Sequence, residues 1–203
     1  RVILHVDFDY FFAQCEEIKS PHLKTKPVAV CIFSDRGGDS GAIATANYEA
    51  RKYGVKSGMP IAFAKKRLES IKNAVFLPAD FEFYSEISSK AMEIIKGFAD
   101  VFEYVGKDEA YLDVTRRTNG DFAVASHVAQ QIKNSIREKV RLSCSIGVSP
   151  NKLVSKIASS YKKPDGLTVV TPDGVEKFLD PLKIREIPGI GKKTEEKFGH
   201  IDI

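Results

Sequence analysis

Apolar and polar positions along the 203 residues alternate between a period of two and a period near 3.6. Residues 2–9 form an apolar run that ends in acids at Asp7 and Asp9, which predicts a buried strand. Phe11–Ile18 has the spacing of a short amphipathic helix, and Pro21–Pro27 is a connection. Val28–Phe33 is β-rich, Ser34–Gly41 is turn chemistry, and residues 42–46 are small and strand-like. Asn47 caps a helix over 48–53 that Gly54 stops, and Pro60 opens another to about Leu68. Val75–Leu77 reads as a strand, and Asp80 opens a long helix to Gly97. Strands over 100–105 and 108–114 flank Gly106-Lys107; loop 115–120, helix 122–139 and strand 142–148 follow. Ser149-Pro150 then starts a helix running to Lys163.

With residues 11–76 set aside as an insertion, the order is βαββαβ, an α+β arrangement of the ferredoxin-like kind. In that sheet the first and third strands are central, adjacent and antiparallel. The end of the first, at Asp7, therefore falls beside the start of the third, at Asp108 and Glu109.

Carboxylates at the tips of two buried strands are costly unless a cation sits between them. Magnesium ions suit carboxylate oxygens and keep water or phosphate as further ligands. Asp7, Asp108 and Glu109 are accordingly expected to form one metal site. The competing reading makes them hairpin-turn residues paired with nearby lysines. Neighbouring residues on a regular strand face opposite ways, so Asp108 and Glu109 converge only where the hairpin is just becoming a strand. Thr45, Tyr48 and Arg51 put a hydroxyl, a phenol and a guanidinium on one strand-to-helix passage, a suitable grip for a triphosphate or ordinary surface packing.

Composition narrows the class. The net charge of +4 and a pI near 8.8 permit nucleic acid without demanding it. Basic residues cluster at Arg51-Lys52, Lys65-Lys66-Arg67, Lys162-Lys163 and Lys192-Lys193. No run reaches membrane-spanning length, and no basic-then-apolar leader opens the chain, so a cytoplasmic protein is expected. Cys15, Cys31 and Cys144 lack metal-binding spacing, which argues against zinc and for reduced thiols. Arg1 in place of Met suggests a trimmed or partial chain.

Several blocks then carry a resemblance. They are Val6-Asp-Phe-Asp-Tyr-Phe-Phe-Ala13, Ala44-Thr-Ala-Asn-Tyr-Glu-Ala-Arg51, Asp108-Glu-Ala-Tyr-Leu-Asp113, Ser145-Ile-Gly-Val-Ser149 and Lys163-Pro-Asp-Gly166. In this order the chain resembles the Y-family translesion DNA polymerases, in particular the DinB or polymerase IV branch and its archaeal members. The resemblance implies a right-hand polymerase: palm from 1–10 and 77–166, fingers from 11–76, and a helical thumb from 167 onward. It also implies that the thumb is incomplete and the family's little finger absent, a catalytic fragment.

The resemblance implies catalytic Asp7, Asp108 and Glu109 around two magnesium ions, with manganese as a substitute and the Phe8 carbonyl as a further ligand. Thr45, Tyr48, Arg51 and Lys163, with the amides of Tyr10 and Phe11, match its nucleotide contacts. Phe12 matches the steric gate against a 2′-hydroxyl, although a core Phe reads the same in sequence. Ala42, Ala44 and Gly58 match the small residues over the nascent base pair. Ile187-Pro-Gly-Ile-Gly-Lys-Lys-Thr194 matches a helix-hairpin-helix, with Gly189, Gly191 and Lys192 at a DNA phosphate and a second helix over Lys192–His200. Implied partners are primer–template DNA, a deoxynucleoside triphosphate and, for a full-length protein, a sliding clamp; a monomer is expected. Asp9 and Asp113 are expected to be structural.

The chain departs from the family at Gly106-Lys107, where members carry Ser and an apolar residue, and at Asp202, where Gly is more frequent. The first departure loosens the hairpin and puts a cation beside Asp108. Two other readings stay open: a nucleotidyl cyclase or other nucleotidyltransferase on the same sheet, and a DNA-binding scaffold with a decayed site. A cyclase has no use for the Phe12 gate or the helix-hairpin-helix.

Overall fold

The structure is a computed structural model and describes residues 1–198. Asp202 and the end of the expected Lys192–His200 helix lie outside the described residues. In chain order the elements are β1 (Ile3–Asp7), α1 (Phe11–Lys19), β2 (Val28–Phe33), β3 (Gly41–Ala46), α2 (Tyr48–Arg51), α3 (Ile61–Arg67) and β4 (Val75–Pro78). There follow α4 (Phe81–Lys96), β5 (Val101–Tyr104), β6 (Glu109–Asp113), α5 (Phe122–Val140), β7 (Ser145–Ser149) and α6 (Lys152–Tyr161). The last are β8 (Leu167–Val169), α7 (Val175–Leu179) and α8 (Lys192–Phe198). The chain divides into two compact units, Tyr10–Lys90 and the remainder.

The unit holding both ends of the chain is built on a five-stranded sheet of order β5-β6-β1-β7-β8. β1 pairs antiparallel with both β6 and β7, β5 is antiparallel to β6, and β8 joins β7 in parallel. Without β8 this is the βαββαβ ladder expected from sequence. Leu4, Val6, Ala110, Leu112, Ile146 and Val148 are fully buried, and burying each large side chain contributes about 1.5–3 kcal/mol. Alternation puts Ile3, His5 and Asp7 on the opposite face of β1. There α6 packs against β1 and β7, and Gly147 lets it come close: a Cβ would stand 2.0 Å from the Ser155 carbonyl oxygen. Asp121 caps α5 by accepting the Ala123 and Val124 N–H groups, and Arg141, at φ +60, ends it.

Three expectations are corrected here. β7 begins at Ser145 and not Leu142, because the left-handed turn at Arg141 delays entry to the ladder. α6 is capped by Asn151, whose side chain accepts the Val154 N–H, and not by Ser149, whose hydroxyl donates to the Asn151 carbonyl. α6 ends at Tyr161, so Lys163 lies in the loop beyond it.

The Tyr10–Lys90 unit has a three-stranded sheet of order β3-β2-β4, with β2 antiparallel to β3 and parallel to β4. Its core gathers Ala29, Ile43, Ala46, Val55, Ile61 and Leu68. Tyr84, fully buried, donates its hydroxyl to Glu16 at 2.6 Å. All three cysteines are free and buried, and burial pushes their thiols up to about 12 at Cys15, about 11 at Cys31 and about 12 at Cys144. Among the described residues no helix is long and apolar enough to cross a membrane.

Candidate active site

Asp7 is the last residue of β1, and on the two ladders it faces Glu109, the first residue of β6, and Ser145, the first of β7. The Phe8 N–H donates to the Asp108 carbonyl at 2.8 Å, one step past the ladder. Asp108 thus precedes the strand while Glu109 opens it. The alternation that would separate two neighbours on a regular strand has not yet begun there. The N–H groups of Val105 and Gly106 both reach the Glu109 carbonyl and close the hairpin.

The electrostatics of the three acids differ. Glu109 accepts from His5 Nε2 at 3.1 Å and from the Lys156 ammonium, both at Oε2. The His5 hydrogen bond, then Lys156, outweigh burial and hold its carboxyl down at about 2. Asp7 is paired with the Lys163 ammonium. Asp108 belongs to a solvent-exposed residue, yet its pKa is raised, first by atoms packed about the carboxyl and then by the charges of Asp7 and Glu109. Lys163 pulls it the other way.

Asp7, Asp108 and Glu109 supply the hard oxygen donors a divalent cation takes, and the repulsion at Asp108 is what such a cation relieves. The donor chemistry therefore fits. Among the described residues no three His, Cys, Asp or Glu side chains stand ready to hold a metal ion. Asp7 and Glu109 are instead engaged by lysines, the partnership the competing sequence reading expected.

Sequence reasoning missed the shell behind these acids. His5 is fully buried; its Nε2 faces Glu109, its Nδ1 lies 2.8 Å from the Ser159 hydroxyl, and its ring packs 4.7 Å from that of Tyr111. A signal exists: His5 is two residues before Asp7 and so shares its face of the strand. Lys156 carries a weaker one, seven residues before Lys163. Asp9 is structural as expected: it accepts from the Ser143 and Ser145 hydroxyls, both at 2.6 Å, and from the Asp165 N–H at 3.0 Å. Asp113 likewise holds Arg1 and Thr115.

The other nucleotide candidates lie in the Tyr10–Lys90 unit. Tyr10 precedes the first turn of α1; its hydroxyl donates to Glu17 and its ring meets Tyr48 edge-on at 5.3 Å. Phe11 is buried at the helix start. Phe12 is half-buried and stacks on Tyr84 at 4.8 Å, with Phe81 edge-on at 5.7 Å. Asn47 caps α2 as expected, accepting the Ala50 N–H. Arg51 lies 4.7 Å from the Tyr48 ring and donates through Nε to the Ala46 carbonyl, so the two side chains share one face. Ala44 and Thr45 are half-buried on β3. Gly58, at φ +79, has open space where a side chain would stand.

In the C-terminal segment Gly189 has φ +91, and both Gly189 and Gly191 have open space where a side chain would stand. The Gly191 carbonyl accepts the Thr194 and Glu195 N–H groups and starts α8, where Lys192 is exposed. Ahead of the hairpin stands a single 3-10 turn, Ile184–Glu186, and not a full helix.

Comparison with known proteins accounts for both parts. Residues 6–160 match the impB/mucB/samB family, and residues 172–203 match the HHH motif of that family. The chain is 73% identical over 203 residues to DNA polymerase IV of Nitrosopumilus maritimus, covering all of this chain and 56% of the relative. It is 52% identical over 195 residues to DNA polymerase IV of Metallosphaera sedula, covering 96% of this chain and 55% of that one. The chain thus spans a little over half the length of these relatives. Among solved structures it is similar to the insertion ternary complex of Dbh DNA polymerase, with TM-score 0.94, 43% identity, all of this chain and 58% of that one. It is also similar to DinB from Sulfolobus solfataricus, with TM-score 0.92, 43% identity and the same coverage. The chain belongs to the impB/mucB/samB family, the Y-family polymerase group whose blocks its sequence carries.

Proposed function

We propose that this chain is the catalytic part of a template-directed DNA polymerase that copies damaged DNA with low fidelity. The observation that carries the reading is the strand-end cluster: Asp7 opposite Glu109 on one rung, with Asp108 beside them. Bound magnesium, or manganese in its place, supplies an activated primer 3′-hydroxyl and neutralises phosphate charge. Asp7, Asp108, Glu109 and the Phe8 carbonyl are the residues to hold it. The reaction joins the primer hydroxyl to the α-phosphate of a deoxynucleoside triphosphate and releases pyrophosphate.

Lys163 is assigned to the triphosphate, and the family resemblance gives Thr45, Tyr48, Arg51 and the amides of Tyr10 and Phe11 the same role. Phe12 is the gate against ribose; the Tyr84 and Phe81 rings that flank it limit how far it can turn away. Ala42, Ala44 and Gly58 leave a base pair loosely checked, which favours lesion tolerance over accuracy. Gly189, Gly191 and Lys192 take a DNA phosphate. The protein is assigned to the cytoplasm as a monomer on primer–template DNA, and a clamp contact is left to the full-length protein.

Primer extension with each deoxynucleotide, beside an Asp108→Ala control, tests this. Templated incorporation that disappears in the control is expected. Incorporation unaffected by the control, or by omission of divalent metal, would remove these acids from the chemistry. Loss of incorporation that Gly106→Ser with Lys107→Ile restores would instead trace inactivity to the altered hairpin.

A further inference from the structure

Lys133 lies in the middle of α5 with only 5% of its surface exposed. Its ammonium donates to the Cys144 carbonyl at 2.7 Å, to Asp165 Oδ1 at 2.7 Å and to the Gly166 carbonyl at 3.2 Å. An ammonium has three protons, so its donor capacity is fully used. Asp165 is gripped at two further points. Arg137 pairs with its other oxygen, and its N–H donates to Asp9 at 3.0 Å. This holds Asp165 at φ +55, a left-handed conformation that Asp adopts at some cost. All of these bonds except the one to Cys144 fasten the two residues that follow Lys163-Pro164.

Burying a lysine carries a desolvation penalty that close pairing must offset. An apolar side chain would fill the same space without that penalty, but it would remove all three ammonium bonds and leave Asp165 only to Arg137 and Asp9, and Gly166 only to Ile146 and Ser145. We infer that Lys133 is a positioning residue for Lys163: by clamping Asp165 and Gly166 it fixes the loop from which Lys163 reaches the Asp7 end of β1, and so sets affinity for a nucleoside triphosphate. The inference rests on the polymerase reading and on Lys163 as a triphosphate cation.

The test is a double-mutant cycle on single-nucleotide incorporation, with Lys133→Met, Lys163→Ala and both together. Each variant yields the deoxynucleotide dissociation constant, the maximal rate, the primer–template affinity and a thermal midpoint. Lys133→Met is expected to weaken nucleotide binding about tenfold while the maximal rate changes less than about twofold, the signature of lost binding as distinct from lost chemistry. Primer–template affinity is expected to stay constant. The double variant should bind nucleotide no worse than Lys163→Ala alone, because residues acting through one another are not additive. Fully additive losses, or a fall in rate at unchanged nucleotide affinity, overturn the proposal. Should Lys133→Met not fold, Asp165→Asn tolerates the left-handed backbone and weakens the same clamp. About a threefold loss of nucleotide affinity that vanishes on a Lys163→Ala background is then expected by the same logic, and its persistence on that background refutes the idea. A wild-type chain that incorporates no nucleotide overturns the polymerase reading along with this one, whereas additivity in an active enzyme overturns this one alone.

Discussion

Gly147→Ala is the substitution whose cost follows most directly from the geometry. A methyl group there would lie 2.0 Å from the Ser155 oxygen, 2.5 Å from the Ser159 nitrogen and 2.9 Å from the Ala158 Cβ. The first two are helix backbone and cannot rotate aside. Restoring van der Waals separation requires α6 to move from the sheet by roughly 1 Å or more. Overpacking of this kind costs about 1–3 kcal/mol. The shift would also stretch the hydrogen bond between Ser159 and His5, which argues for the upper end, about 3 kcal/mol. For a chain of this size that corresponds to a fall in thermal midpoint of about 6–12 °C. Gly106→Ala is the control: its Cβ would meet only Asp108 Oδ1, at 3.7 Å, and its φ lies outside the left-handed region. That change should leave stability the same or raise it by about 0.4–1 kcal/mol. Circular-dichroism melts and urea titrations of both variants decide the matter. A Gly147→Ala midpoint within about 2 °C of wild type would show that the sheet and α6 yield easily, and the packing argument would fall.

Glu109 gives a pH dependence with a definite sign. Its carboxyl is depressed from 4.5 to about 2, so the stability it contributes is complete above about pH 4.5 and is lost as the pH falls toward 2. The stability gap between wild type and Lys156→Met, measured by urea unfolding, should therefore narrow from pH 6 to pH 3; a gap that stays constant would mean Lys156 acts only through packing. Tyr84→Phe removes the hydroxyl that donates to buried Glu16 and should cost about 1–3 kcal/mol, because a buried acceptor is left unmet. A loss below about 0.5 kcal/mol would show that Glu16 finds another donor. Thr168 carries a buried hydroxyl without a hydrogen-bond partner, so Thr168→Val should be neutral or stabilising by up to about 1 kcal/mol in the same assay.

The sheet was legible because its elements are long or strongly periodic: α4 and α5 run for 16 and 19 residues, and the topology then brings Asp7 to Glu109. Asp9 and Asp113 read as structural because the family resemblance gives them no ligand role, not from any local pattern. β8 was not legible, since three residues are too few to display a period of two. His5 was missed because one histidine inside an apolar run looks like core, and its partner Ser159 is 154 residues distant. Lys133 and Lys156 sit on amphipathic helices, where a lysine ordinarily reads as a solvent-facing residue. Their acceptors come from loops and strand ends that only tertiary structure brings near. The first helix of the hairpin motif shrinks to a single turn, which no local pattern foretells.

The placement of β1 bears on how the molecule comes into being. The strand is drawn from the first residues of the chain, yet it lies between β6 and β7, whose residues come more than a hundred positions later. Without it the sheet separates into β5-β6 and β7-β8. Loop-closure entropy must be met before either ladder forms, a contact order that slows folding, whereas residues 10–90 are contiguous and meet their own partners early. During synthesis β1 must wait until β6 and β7, more than a hundred residues later, have emerged. A slip of one residue when it finally docks would turn Asp7 to the opposite face of the sheet, and with it would drive His5 into the apolar layer that Leu4 and Val6 fill. The same buried residues that hold the strand in place therefore hold Asp7 opposite Glu109, so the core itself proofreads the register of the acid cluster.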